Sequence, residues 1–232
     1  MTDIARHANG HRPSSDDAEV ESLYPFLYAD SSNLDAVLQE VRRSTVDKAK
    51  EIMALRRQVL AADGARFAEC AQDMAERFAA GGRLLAFGNG GSSTDSQDLA
   101  SLFLSPGDEH PLPAFGLTND IAVVTALSND VGFDVVFSRQ IAAFGRAGDI
   151  AVGLSTSGNS GNLLRAFDEA ARRGLLTIGI AGYDGGKMAE LDSIDYLFVV
   201  NSASVHRIQE AQTTIYHVLW ELTRHIVDID AR

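Results

Sequence analysis

From residue 83 onward, short runs of apolar residues alternate with longer amphipathic stretches. The runs Arg83–Phe87, Ala114–Leu117, Ile150–Leu154, Leu176–Ala181 and Tyr196–Val200 are apolar on both sides of the chain. A strand buried on both faces needs this composition. Between and after them lie patterns of helical period near 93–104, 120–128, 131–144, 160–173 and 206–228. Strands alternating with helices of that length predict an α/β fold, a five-stranded parallel sheet covered on both faces in a three-layer αβα sandwich.

Two further helices are predicted ahead of the sheet. Leu34, Leu38, Val41, Thr45, Lys48, Ile52, Leu55 and Val59 recur in steps of four and three, a stripe suited to packing in a subunit bundle. The second helix begins near Asp63, carries Phe67, Cys70, Met74 and Phe78 on one face, and ends at Gly81-Gly82. Residues 1–30 hold few large apolar groups outside the Tyr24–Tyr28 cluster and read as a disordered or loosely docked acidic tail. The remainder, 31–232, reads as one domain.

Composition narrows the function. The 232 residues carry 32 acidic and 20 basic side chains, a formal net charge of −12. That balance argues against a direct nucleic-acid binder, which needs a basic footprint. No run is long and apolar enough to span a bilayer. Cys70 is the one cysteine, so neither an intrachain disulfide nor a thiolate metal cage can form. A reducing, cytoplasmic setting is expected.

Chemistry concentrates in two loops at the carboxyl ends of predicted strands, where parallel sheets bind ligands. They are Gly88-Asn89-Gly90-Gly91-Ser92-Ser93-Thr94 and Ser155-Thr156-Ser157-Gly158-Asn159-Ser160, each leading into a helix. Glycines admit close approach of a ligand, helix N-termini present free N–H groups, and hydroxyls add neutral donors. Together they suit a phosphate held without a lysine, so the negative net charge does not weigh against an anionic ligand. The competing reading is a pair of tight turns capped by serine. The dinucleotide fingerprint and the Walker sequence both fit poorly.

The motifs GNGGSSTDS (88–96), ALSNDVGFDVVFSRQ (126–140), GLSTSGNSGNLLRA (153–166), AGYDGGKMAEL (181–191) and RIQEAQTTIYHVL (207–219) resemble the SIS sugar-isomerase domain, and within it the phosphoheptose isomerase branch. The resemblance implies a homotetramer that interconverts the ketose and aldose forms of a seven-carbon sugar phosphate through an enediol. It implies that Ser155, Thr156, Ser157 and Ser160 hold the phosphate. Asn89, Gly90, Gly91 and Ser92, with Asn129 and Asp130, line the sugar. Gln209 and His217 match a metal-binding glutamine and a metal-binding, catalytic histidine, which implies a divalent metal, zinc in the family.

The departures are equally specific. Where the family places a metal-binding His and, four residues later, a basic Glu, this chain has Asp98 and Leu102. Where the family often has a further His, it has Gln212. Leucine can neither take a proton nor bind a metal, and losing a placed general base costs about 10²–10⁴-fold in rate. Asp98 lies one helical turn before Leu102 and so faces the same way. Asp98 and His217 are the expected catalytic pair, and Asp98, Gln209 and His217 the expected metal set; Glu109, His110 and His206 are possible recruits. Read alone, Asp98 is a solvated helix residue and His217 a packed histidine beside an apolar stripe. A catalytically inactive protein, acting as a sugar-phosphate sensor or a protein-partner adaptor, is the competing function.

Overall fold

The computed structural model describes residues 34–104 and 110–230. Helix α1 spans Leu34–Ala79. It is followed by β1 (Leu84–Gly88), α2 (Gly91–Leu104), β2 (Ala114–Gly116), α3 (Ile121–Asp130), α4 (Val136–Phe144), β3 (Ile150–Ser155), α5 (Gly161–Arg172), β4 (Leu176–Gly182), β5 (Tyr196–Val200) and α6 (Val205–Asp230). Short 3₁₀ turns precede α4, at Phe133–Val135, and β5, at Gly186–Glu190. The five strands pair parallel throughout, in the order β2-β1-β3-β4-β5.

The strands are apolar on both sides because the sheet is buried on both sides. Leu84, Ala86, Ile150, Val152, Leu154, Ile178, Ile180, Phe198 and Val200 face one apolar cluster, completed by residues of α1, α2 and α6. Leu85, Phe87, Ala151 and Ala181 face the other, completed by α4 and α5. Successive side chains of a strand point to opposite faces, so each strand feeds both clusters. At the amino ends, buried Asp149 accepts from the Arg83 backbone N–H and guanidinium (2.9 and 2.6 Å) and from the Arg146 backbone N–H (3.0 Å). That carboxylate pins the starts of β1 and β3 together.

The region ahead of the sheet differs from the expected pair of helices. α1 is one helix of 46 residues. It runs through Asp63-Gly64, the expected break, because Asp63 does not turn back to cap a new helix. Its carboxylate instead accepts from Arg66, one turn on, at 2.9 Å. A mid-helix glycine costs only about 1 kcal/mol, and Phe67, Cys70, Met74 and Phe78 on the following turns bury into the first cluster. The chain divides into two compact units, Met1–Lys50 and Glu51–Arg232. In the first, the described residues are helical and Leu38, Val41 and Val46 are exposed. The expected tail falls outside the described residues. None of the described helices is long and apolar enough to cross a membrane.

Phe87 is the keystone of the second cluster. It is fully buried, with its ring 5.5 Å from that of Phe137 and 5.3 Å from that of Phe167. Phe87→Ala lowers stability by about 3–5 kcal/mol, read as a fall in the urea midpoint at unchanged slope.

Candidate active site

Both glycine-rich loops leave the carboxyl ends of neighbouring strands. β1 pairs with β3 so that Gly88 lies beside Leu154, which brings the two loops to the same edge of the sheet. Asn89 and Asn162 then join them through a reciprocal amide pair, each donating to the other at 2.9 Å. Asn89 therefore spends its side chain on the frame of the site. Asn162, in the first turn of α5, was not anticipated from the sequence.

The second loop is built to present hydroxyl protons. Ser155 Oγ accepts from the Gly158 N–H (3.1 Å) and Ser157 Oγ from the Asn159 N–H (3.2 Å). Each oxygen is engaged as an acceptor, so each O–H is left to act as a donor. Ser160 occupies the cap position of α5, but its side chain makes no capping bond; its hydroxyl lies 3.5 Å from that of Ser155. That geometry favours a ligand cradle over a serine cap. Gly158 has φ +66°, and a Cβ there would stand 1.9 Å from the Gly185 carbonyl oxygen, so no other residue fits. Asn159 Oδ1 accepts from the Lys187 N–H (3.1 Å) and locks the loop to the turn behind it. Thr156 is half-buried.

Helix α6 supplies the opposite side. Gln209 lies over the first loop: a Cβ on Gly91 would meet its Nε2 at 2.1 Å. Two turns further, His217 faces Asp98 of α2, with Nε2 and Oδ2 3.8 Å apart. The Tyr216 hydroxyl donates to the same Oδ2 at 2.7 Å. The His217 ring stacks on that of Tyr216 (5.1 Å, 27°) and meets Trp220 edge-on (6.3 Å). Burial, reinforced by Asp98, pushes the Tyr216 phenol up, so it stays a donor. Leu102 is half-buried against the first apolar cluster. Gln212 is fully buried and its amide donates to the carbonyls of Ser155 and Ile180 at 3.2 Å, clamping the ends of β3 and β4.

The structure thus joins the first loop to the start of α5 through Asn89 and Asn162, sets Gln209 against Gly91, and pairs Asp98 with His217 across α2 and α6. Asn129 and Asp130 sit exposed at the end of α3, where their side chains bond each other at 2.8 Å. Ser92 is buried within the first turn of α2, Gly90 exposed at the loop tip. His110 and His206 are exposed, and Glu109 falls outside the described residues. Cys70 is fully buried, with its thiol pushed up by burial; it is a core residue.

The donor chemistry does not make a zinc site. Zinc takes four ligands in a tetrahedron. Asp98 and His217 give one carboxylate and one imidazole, Gln209 adds a neutral amide, and one oxygen of Asp98 is engaged by Tyr216. Among the described residues, no three of His, Cys, Asp and Glu are arranged to hold a metal ion.

The sequence matches the SIS domain over residues 49–182. The chain belongs to the SIS domain family. It is 41% identical to the phosphoheptose isomerase of Nitratidesulfovibrio vulgaris over 191 residues, covering 82% of this chain and 91% of that protein. It is 43% identical to that of Aquifex aeolicus over 149 residues, 63% of this chain and 77% of that protein. Its fold matches the phosphoheptose isomerase structure from Neisseria gonorrhoeae with a TM-score of 0.72 at 34% identity, covering 82% of this chain and 99% of the other. The Francisella tularensis structure gives 0.73 at 29%, covering 82% and 98%. These relatives place this SIS domain in the phosphoheptose isomerase branch.

One further carboxylate of this SIS domain stands out. Asp95, one turn before Asp98, has Oδ2 buried without a hydrogen-bond partner. Burial, and secondarily the charge of Asp98, push it up from 3.8 to about 6. The ionised form is therefore disfavoured in the folded state: the cost is full above about 6 and fades as pH falls toward 3.8. Asp95→Asn accordingly raises stability at about pH 8, by about 1–2 kcal/mol once solvent access is allowed for. Urea titrations at a series of pH values show the gain shrinking as acid is added.

Proposed function

We propose that this protein is a cytoplasmic isomerase that interconverts sedoheptulose 7-phosphate and the corresponding aldose phosphate. The observation that carries the reading is the Asp98–His217 pair, 3.8 Å apart, with Asp98 on the helix that leaves the first glycine-rich loop. The names of the relatives, at 41% and 43% identity, supply the substrate class.

In this reading the hydroxyls of Ser155, Thr156, Ser157 and Ser160, with the N–H groups opening α5, hold the phosphate. Gly90 and Gly91 let the sugar approach the backbone, with Ser92, Asn129 and Asp130 as further contacts. Asp98 takes a proton from carbon 1 of the ketose. The electron pair of that C–H bond forms the C1=C2 double bond, and the carbonyl oxygen at C2 takes a proton from His217, giving the enediol. Return of a proton to C2 and loss of the O1 proton leave the aldose. Gln209 orients the sugar hydroxyls. This arrangement moves the base one helical turn, from the position of Leu102 to that of Asp98, and routes no step through a metal.

Leu102 favours a second reading. Its apolar side chain joins the core cluster, as it would in a protein that binds a sugar phosphate and turns nothing over. One experiment separates the two. The purified protein, with and without added zinc, is mixed with sedoheptulose 7-phosphate and followed by NMR. The isomerase reading expects conversion, with Asp98→Asn lowering kcat by about 10²–10⁴-fold. Binding without conversion under every condition selects the second reading.

A homotetramer completes the proposal. Leu38, Val41, Val46, Met53 and Leu60 of α1 are each about half exposed or more, and apolar residues in such a series along one helix suit burial against further copies. Light scattering is expected to give four times the chain mass; a monomer would remove this part of the reading.

A further inference from the structure

We infer that Tyr216 is a positioning residue that fixes the carboxylate of Asp98 for proton transfer. The inference rests on the isomerase reading and deepens it.

The Asp98 side chain is 53% exposed. A short, solvated carboxylate on a helix surface has several rotamers open to it, and a base must be held in reach of its proton to be effective. The Tyr216 hydroxyl supplies the missing constraint. It donates to Asp98 Oδ2 at 2.7 Å from a residue only 2% exposed, so the donor itself cannot wander. Hydrogen bonds to an ionised acceptor are among the stronger and more directional ones.

The consequence is a division of labour between the two carboxylate oxygens. Oδ2 is held by Tyr216 and faces His217 Nε2 at 3.8 Å. Oδ1 is left to receive the proton from carbon. The tyrosine ring also stacks on the His217 imidazole, 5.1 Å between centroids. One buried side chain thus sets the position of both partners in the proposed transfer, one through its hydroxyl and one through its ring face.

Tyr216→Phe separates the two roles, because it keeps the ring and removes the hydroxyl. With sedoheptulose 7-phosphate as substrate and the full chain as the enzyme, kcat is expected to fall about 10–100-fold while KM stays within about twofold. A purely structural tyrosine would cost stability in every background alike. The hydroxyl of a positioning tyrosine works only through Asp98, so in Asp98→Asn the further change Tyr216→Phe alters kcat by less than about twofold. The amide oxygen of the asparagine still accepts from Tyr216, which keeps that background folded, and thermal melts of all four proteins check this. Unchanged kcat in Tyr216→Phe, or equal losses in both backgrounds, overturns the inference and leaves the isomerase reading standing. Absence of turnover by the unsubstituted protein overturns the isomerase reading, and the inference with it.

Discussion

The parallel pairing of β1 with β3 is the contact on which the site depends. Its register sets Gly88 beside Leu154, and this alone brings two loops separated by sixty residues to one edge. Everything that makes the edge useful is secured locally. Asp149 ties the strands at their starts, Gln212 ties β3 to β4 at their ends, and the glycine at 158 lets its loop close on the turn at Gly185. Parallel strands carry evenly spaced, slanted hydrogen bonds and little tolerance for slippage when both faces are buried. A site assembled on their ends inherits that fixity.

Against this fixed frame, the variable part is the facing pair of helices. α2 and α6 meet at Asp98, Tyr216 and His217, and there the chain departs from the family pattern. The substitutions are mutually consistent. Leu102, where the resemblance implies a glutamate, packs against the core, and the Asp98 carboxylate stands one turn earlier, where a buried phenol reaches it. A lone aspartate in that place would be a mobile surface acid. Paired with Tyr216 it has a defined direction.

Much of this was legible in the sequence, for physical reasons. The strands emerged within one or two residues because a strand buried on both faces must be a short apolar run, and turns bound it on either side. The loops emerged because glycine and serine in such density at strand ends have few other uses. The long helix reads as two because Asp63-Gly64 carries the local signature of a break, while the packing of Phe67 through Phe78 that overrides it is tertiary. Tyr216 was hidden for a related reason: it lies next to an apolar stripe and reads as core, and nothing local shows that its hydroxyl meets a carboxylate 118 positions away. Asn162, and the clamping role of Gln212, stay hidden likewise, since their partners lie on other elements. Pattern reports which way a side chain points; it does not report whom a buried polar group meets.

The amide pair between Asn89 and Asn162 has a consequence of its own. Two loops could equally be joined by an aspartate and an arginine, and the bond would be stronger at one pH and one ionic strength. Amides neither titrate in the physiological range nor attract counter-ions. The spacing between the loops is therefore indifferent to acid and to salt. A phosphorylated sugar changes its own charge with pH; the bond that joins the two loops does not.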